Sequence, residues 1–381
     1  MNTNMSAETG GARKSRTTGI LPRQMILPLL QVGIVAADVG VEDNQIQPAS
    51  MDLRLGANAY RVRTSFLPGP DATVADKLDR LTMHRINLNE PAVLERGCVY
   101  IVELEERLNL PKDISGRTNP KSSTGRLDVF TRVVTDQGEE FEKIPSGYSG
   151  PLYLEISPRT FSVVARRGQR LSQLRLWRGA PRTSDSLHWE LHERDGLVDP
   201  TSVTGEKPVI RDGMWMSVDL SGKNHDGLIG YRGRRHAPLI DLDGIRKHPV
   251  ADFWEPIYAN EDRTLILDPN QFYILVSKER VSVPPESAAE MVAYDTSFGE
   301  FRIHYAGFFD PGFGYSGENS AGTPAVLEVR SHEVPFEIHH GQRVCRLVYE
   351  RLIEAPEQLY GEEIGSHYQG QGLALSKHFQ L

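Results

Sequence analysis

The sequence has few cysteines, no long apolar run and no excess of positive charge. Only two of its 381 residues are cysteines, Cys98 and Cys345, and they lie far apart. Two distant cysteines form neither a disulfide framework nor a CxxC metal site, so we expect a reducing, cytoplasmic setting. No apolar segment approaches the roughly 20 residues of a membrane-spanning helix, so no membrane association is expected.

The net charge of the chain argues against nucleic acid as a binding partner. The net charge is −8, whereas a large nucleic-acid surface needs an excess of Lys and Arg to displace counterions. A small anionic ligand remains compatible, because a few local cations suffice to bind it. The N-terminal segment lacks the apolar core of a secretion signal, and residues 1–21 are predicted to form a disordered polar tail.

Short apolar segments between turn residues predict a mainly β protein. The chain contains 34 Gly and 24 Pro. Four segments are typical of strands: "CVYIVEL" (98–104), "FSVVA" (161–165), "FYILVS" (272–277) and "AVLEV" (325–329). Helical periodicity is scarce, and two helices are predicted, at "PRQMILPLLQVG" (22–33) and "LIDLDGIRKH" (239–248). A β-sandwich or β-barrel is the expected architecture.

The chain repeats itself with a constant spacing. Pro111 ends "CVYIVELEERLNLP", and Pro284 ends the similar "FYILVSKERVSVP". Glu155 lies as far beyond the first proline as Glu328 lies beyond the second. The tripeptide Gly-Gln-Arg also recurs at one and the same distance beyond each proline. Equal spacing at several positions indicates a tandem repeat.

We therefore predict two copies of one β-domain, at residues 22–180 and 205–355. The polar stretch 181–204 between them is interpreted as a linker or insertion. Residues 356–381 form a C-terminal arm whose Gly and Gln content is typical of a segment that orders on a ligand.

The motifs resemble those of the dCTP deaminase and dUTPase superfamily. They are, in order, "QIQPASMDLRLG", "LPKDISGRTNPKSSTGRL", "IPSGYSGPLYLEI", "GQRLSQL" and the tail "HYQGQG". The two-copy layout is similar to the long bacterial form of dCTP deaminase. The resemblance implies two tandem distorted jelly-roll β-barrels with few short helices. In single-copy members three barrels form a trimer. One subunit then supplies a Ser/Arg motif, and its neighbour supplies a base-reading hairpin and a catalytic glutamate.

The same resemblance implies the chemistry. A glutamate handles protons for a water that attacks C4 of cytosine, without a metal at the base, and Mg²⁺ accompanies the triphosphate. The P-C-x-x-C motif that zinc deaminases require is absent from the sequence. Activation of the water by a carboxylate and hydrogen bonds is the remaining route, and no zinc is expected.

The two repeats have kept different halves of such a site. The first repeat retains the Ser/Arg motif, whereas the second has Asp295 in place of Ser122 and Gly299 in place of Arg126. The second retains the hairpin "YAGFFDPGF" (305–313), where the first has Pro145 in place of the aspartate. One chain is thus expected to assemble one site between its own barrels.

This division makes Glu328 the favoured general acid/base and Glu155 its structural relic. If first repeats of two chains met, Glu155 would be the catalytic residue instead. By resemblance, Arg126 and Ser122 position the water, the glutamate and the phosphates, and the Ala306 carbonyl helps hold the water.

Substrate contacts are also expected from the resemblance. Asp310 accepts a hydrogen bond from the deoxyribose 3′-hydroxyl, and Phe313 packs on the sugar. Lys121 and Ser123 bind phosphate oxygens. Further contacts are assigned to the arm: Tyr368 and Gln371 close over the triphosphate, and Lys377 compensates for a family lysine replaced by His367.

Alternatives remain open at this level. "PKSSTGR" on its own is also typical of a solvated turn, and Glu328 of an edge-strand carboxylate. The leading hypothesis is deamination of dCTP to dUTP and ammonia. The alternatives are dUTP hydrolysis, alone or after deamination, for which Asp310 could activate water, and a non-catalytic nucleotide sensor. A homo-oligomer and feedback by dTTP are compatible with the sequence.

Overall fold

The computed structural model describes residues 16–179, 184–200, 202, 207–292, 301–303, 307–317, 320–331, 333–361 and 372–380. The described chain is built mainly of antiparallel strands, with few short helices, as the sequence predicts. Each of the four apolar segments that were predicted to form strands contains or overlaps a strand, although in 161–165 the strand begins only at Val163. Among the described residues, no helix is both long and apolar enough to cross a membrane.

The first repeat forms a barrel-like sheet. Its strands are β1 (Gly19–Ile20), β2 (Val35–Ala37), β3 (Met51–Val62), β4 (Thr82–Asn87), β5 (Ala92–Leu94), β6 (Val99–Asn109), β7 (Ile114–Pro120), β8 (Val129–Thr135), β9 (Lys143–Ile144), β10 (Ser149–Pro158), β11 (Val163–Ala165) and β12 (Arg170–Arg178). The main sheet runs in the order β8-β10-β6-β3-β12-β7-β9. Strands β1, β2 and β4 pair with β12, β6 and β3.

The second repeat has the same strand plan. Its strands are β13 (Met214–Ser217), β14 (Leu228–Gly233), β15 (Ile240–Asp241), β16 (Trp254–Tyr258), β17 (Thr264–Leu267), β18 (Phe272–Val281), β19 (Ser287–Val292), β20 (Phe301–Ile303), β21 (Phe308–Phe309), β22 (Thr323–Ser331), β23 (Phe336–His339) and β24 (Arg343–Arg351). They form sheets in the orders β13-β24-β19-β21 and β16-β14-β18-β22-β20, with β17 pairing β23.

The repeats agree in strand register as well as in strand order. Glu155 on β10 pairs with Ile101 on β6, and Glu328 on β22 pairs with Ile274 on β18. Glu328 lies one repeat spacing after Glu155 in the sequence, and Ile274 lies the same spacing after Ile101. Since a slip of one residue would turn every side chain to the other face of a sheet, the matching registers place equivalent side chains on equivalent faces.

Short helices connect the strands. They are α1 (Arg23–Gln31), α2 (Val74–Leu81), α3 (Ser122–Gly125), α4 (Asp185–Asp195), α5 (Val250–Phe253) and a 3-10 turn at Asp43–Gln45. Helix α1 confirms the prediction at 22–33. Helix α4 lies in the polar stretch between the repeats, where His188 on α4 accepts a hydrogen bond from the Tyr349 amide on β24.

The helix predicted at 239–248 is wrong. Ile240 and Asp241 instead form β15, which pairs in parallel with β11 of the first repeat. The chain then turns, with Arg246 in the left-handed region at φ 52°. The apolar residues of this segment have helix-like spacing, but tertiary pairing with the first barrel overrides that local pattern.

The two barrels and the end of the arm share one core. The buried cluster inside the first barrel continues into Trp254 and Phe272 of the second repeat and into Leu375 and Phe379 of the arm. The Phe379 ring lies 5.4 Å from that of Phe253 and 5.8 Å from that of Trp254, centroid to centroid. This packing fixes the relative position of the two barrels and of residues 372–380.

Candidate active site

A cavity of about 730 Å³ lies where the two barrels and the arm meet. Its lining brings together most of the residues that the sequence analysis singled out: Lys121, Ser122, Ser123, Arg126, Asp310, Phe313, Glu328 and Lys377. The first four belong to the first barrel, the next three to the second, and the last to the arm. The cavity is therefore shared between segments that lie far apart in the sequence.

The segment "PKSSTGR" forms one tight helical turn, α3, at the cavity wall. The amides of Thr124 and Gly125 bond the Lys121 carbonyl at 2.8 and 3.0 Å, and the Arg126 amide bonds the Ser122 carbonyl at 3.0 Å. This turn brings the Lys121, Ser122 and Arg126 side chains to the same cavity.

Glu328 reaches that turn from strand β22 of the second barrel. A Cβ atom added at Gly125 would lie 2.6 Å from Glu328 Oε2 and 2.8 Å from Oε1, closer than side chains tolerate. The glycine at position 125 is therefore what allows the carboxylate of one barrel to rest on the helical turn of the other. This close approach sets Glu328 beside Arg126.

The surroundings of Glu328 favour its protonated form. The residue is only 6% exposed. Burial raises the pKa of its carboxyl to about 8, the nearby Arg126 charge opposes that rise, and the Asp128 charge adds to it. A carboxyl group with a pKa near neutral pH can both take up and release a proton during turnover.

Basic side chains gather at another part of the cavity. Lys377 is partly buried there, and burial, with the neighbouring Lys121 charge, lowers the pKa of its ammonium group. Arg170 also lines the cavity, and Asp52 pairs with Lys121. Positive charge in a partly desolvated wall suits a polyanionic group such as a phosphate chain.

The first barrel holds the hairpin of the second in place. Arg175, which is fully buried, donates to Asp310 Oδ1 at 3.0 Å and to the Ala289 carbonyl at 3.1 Å. Its guanidinium lies 4.0 Å from the ring centroid of Phe308. Ser50 donates to Asp310 Oδ2 at 3.1 Å. Both oxygens of Asp310 thus accept hydrogen bonds from the first barrel.

The end of the arm contacts the helical turn directly. Arg126 Nη1 donates to the Ala374 carbonyl at 3.0 Å, and Ser376 Oγ donates to the Ser123 carbonyl at 2.8 Å. His378 Nδ1 lies 2.9 Å from Ser376 Oγ, and burial lowers the pKa of the His378 imidazole to about 4. Residues 374–378 therefore hold the turn in place at the cavity wall.

Glu155 has a different environment from its equivalent Glu328. Its Oε1 accepts hydrogen bonds from Arg132 Nε at 3.1 Å and from Arg132 Nη2 at 2.5 Å. The Arg132 guanidinium also lies 3.5 Å from the ring centroid of Phe141. Glu155 is absent from the residues that line the described cavity. Three other residues of the sequence-based hypothesis, Ala306, Tyr368 and Gln371, lie outside the described residues, as do Asp295 and Gly299.

Three residues that line the cavity or support its lining were not anticipated from the sequence. Arg175 and Ser376 carry no motif of their own, and their roles come from contacts across the barrel boundary. Arg170 stands in the repeated Gly-Gln-Arg tripeptide, which indicates the tandem repeat but does not by itself indicate a site. A search for basic residues near the end of that motif would have found it.

The shared, cation-lined cavity between two barrels is typical of an enzyme that acts on a small anionic substrate. The profile described as "2'-deoxycytidine 5'-triphosphate deaminase (DCD) N-terminal domain" matches residues 17–180, and that of the C-terminal domain matches residues 183–379. The chain belongs to the dCTP deaminase family, in its long two-domain form, and is an enzyme of that family.

Individual relatives agree with this assignment. The crystal structure of a 2'-deoxycytidine 5'-triphosphate deaminase from Agrobacterium tumefaciens is 55% identical, covers 90% of this chain and 100% of its own, and has a TM-score of 0.83. A dCTP deaminase from Halorubrum lacusprofundi is 32% identical over 35% of this chain and 63% of its own length. A dUMP-forming dCTP deaminase from Methanosphaera stadtmanae is 29% identical over 48% of this chain and 85% of its own.

The substitution Gly125→Ala tests the contact between the turn and Glu328. Because the added methyl group would occupy the place of the carboxylate, we expect turnover to fall about 100-fold while the chain stays folded. Steady-state kinetics together with circular dichroism measure both effects. Gly361→Ala, where an added Cβ meets no atom within 4 Å, is the matched control. Unchanged turnover in Gly125→Ala would show that Glu328 does not need this position.

The substitution Glu328→Gln tests the electrostatics. The carboxyl pKa is raised from 4.5 to about 8 on folding, so the folded chain holds a proton that the unfolded chain releases between these pH values. Wild-type stability therefore declines as pH rises through this window, whereas the amide does not titrate. The melting temperature of Glu328→Gln relative to wild type should rise from pH 5 to pH 8 and then level off. The exposed Glu261→Gln serves as the control, and a difference independent of pH would contradict the prediction.

Proposed function

We propose that the protein converts dCTP to dUTP and ammonia at the cavity between its barrels. The observation that supports this most is the position of Glu328 against Gly125 and beside Arg126, with its carboxyl pKa raised to about 8. A carboxyl group of that kind, next to a fixed cation in a secluded cavity, suits the transfer of protons to and from a water and a leaving amine.

In the proposed orientation the nucleotide spans the cavity from the second barrel to the cationic wall. The triphosphate would lie toward Lys121, Arg170 and Lys377, with Ser122 and Ser123 donating to phosphate oxygens. The sugar would lie toward the hairpin, with its 3′-hydroxyl at Asp310 and its ring on Phe313. The cytosine would then reach Glu328.

The proposed reaction is a hydrolysis at C4. Glu328 takes a proton from water as the water oxygen bonds to C4, and Arg126 stabilises the ionised glutamate. That proton passes to N3 as the C4–N3 bond becomes single. The second proton of the water then moves through Glu328 to the exocyclic nitrogen, the C4–N4 bond breaks, and ammonia leaves. The oxygen becomes the C4 carbonyl of uracil, so that one water is consumed for each ammonia released.

We propose that Mg²⁺ enters with the nucleotide. The described residues contain no group of three His, Cys, Asp or Glu side chains placed to hold a metal. Two of the acidic side chains that line the cavity are engaged with cations, Asp52 with Lys121 and Asp310 with Arg175. Triphosphate oxygens are preferred Mg²⁺ ligands, and the bound ion would reduce the charge that Lys121 and Lys377 meet.

The bonding of Asp310 favours dUTP over dUMP as the final product. Relatives with a dUMP-forming activity show that the family contains both outcomes. Hydrolysis of the triphosphate would need a carboxylate that can accept a proton from water near the α-phosphate. Asp310 accepts hydrogen bonds from Arg175 and Ser50 through its two oxygens, and in the proposed orientation its remaining lone pairs face the 3′-hydroxyl and not a water at the α-phosphate.

A product assay with site variants tests the proposal. Incubation of the protein with Mg²⁺ and dCTP should yield dUTP and ammonia in equal amounts. Accumulation of dUMP would indicate a bifunctional enzyme, and unchanged dCTP with measurable binding would indicate a sensor. Glu328→Gln should lower turnover about 1,000-fold, in the range of a lost general acid/base. Glu155→Gln is its matched control and should keep most of the activity. Full activity in Glu328→Gln would contradict the proposed mechanism.

A further inference from the structure

A second contact crosses the barrel boundary immediately behind the site. Arg330 lies two residues beyond Glu328 on β22, so its side chain emerges on the same face of the strand. Asp128 lies two residues beyond Arg126. The pair Arg330–Asp128 therefore joins the same two segments of chain that bring Glu328 and Arg126 together.

The Arg330–Asp128 contact is buried and is held by several hydrogen bonds. Arg330 Nη2 donates to Asp128 Oδ2 and, at 2.9 Å, to Thr160 Oγ1, while Nη1 donates to the Asn270 carbonyl at 2.7 Å. Thr160 Oγ1 donates to Asp128 Oδ2 at 2.6 Å. The Arg330 and Asp128 side chains are 5% and 1% exposed. Short charge-assisted bonds in such a setting fix the relative position of their backbones.

The Arg330–Asp128 pair lies in the half of the molecule that holds the cavity, and the first repeat has no arginine at the position equivalent to Arg330. In the alignment of the repeats, Arg330 corresponds to Ser157, which carries no charge, so the equivalent positions cannot form the same ion pair. A contact needed by the barrel fold itself would be expected in both repeats. Its restriction to one half points to the site.

We infer that Arg330 and Asp128 are positioning residues that set the distance between Glu328 and Arg126, an inference that rests on the function proposed above. Asp128 fixes the end of the turn that carries Arg126, at a left-handed φ of 55°, and Arg330 fixes β22 two residues from the glutamate. Neither side chain lines the cavity, so neither contacts substrate directly.

The pair also bears on the charge that Glu328 experiences. The charged groups that face Glu328 are Arg126, which lowers the pKa of its carboxyl, and Asp128, which raises it. Arg330 neutralises Asp128. Removal of Arg330 should therefore raise the Glu328 pKa further, and removal of the Asp128 charge should lower it.

The test compares Arg330→Met with Asp128→Asn on the full chain, using pH profiles of dCTP deamination. We expect kcat to fall about 100-fold in Arg330→Met, with KM changed by less than about threefold, because a displacement of the reacting groups affects turnover more than binding. Since the ionised glutamate accepts the proton, the acid limb should move about one pH unit upward in Arg330→Met and downward in Asp128→Asn.

Controls separate positioning from folding. Ile338→Val, in the buried core of the second barrel, should lower the melting temperature and leave the pH profile unchanged. Asp128→Asn is nearly isosteric and keeps an acceptor for Thr160 and Arg330, so it should fold even if Arg330→Met does not. The inference would be overturned if the folded variants kept the wild-type kcat. It would also be overturned if the acid limbs of their pH profiles did not shift in the predicted directions. A wild-type chain that does not deaminate dCTP would refute the proposed function instead.

Discussion

The structure depends on one close contact across the boundary between two barrels. The Glu328 carboxylate of the second barrel lies on Gly125 of the first, where any side chain would displace it. Burial at that boundary raises the pKa of the carboxyl, and Arg126 supplies the charge that makes its ionised form accessible. The buried Arg330–Asp128 pair and the shared core hold the two barrels in the relation that this contact requires.

The two repeats show how one fold supports two different roles. They share strand order and register, and the equivalent glutamates occupy the same position on equivalent strands. Their surroundings decide what each can do. Arg132, from the same barrel, pairs with Glu155, whereas Glu328 faces a cavity and an arginine of the other barrel. A few side chains therefore separate a structural ion pair from a candidate catalytic group, while the strand plan is common to both copies.

Much of the fold and many residues of the cavity could be predicted from the sequence. Repeated apolar segments with a constant spacing define strands and register, because the period of a strand and the spacing of its neighbours are local properties. The segment 239–248 was misjudged because its helix-like spacing gives way to strand pairing with the other barrel. Arg175, Arg330 and Ser376 could not be found in this way, since each acts through a partner that is distant in the sequence.

The central claim is that both halves of the site belong to the same chain. Its most direct test is complementation between Glu328→Gln and Arg126→Ala chains, expressed together so that any oligomer can mix them. If each site needs Glu328 and Arg126 of one chain, the mixture should show no more deaminase activity than the two variants measured separately. Activity well above that sum would show that sites form between chains, and would contradict the account.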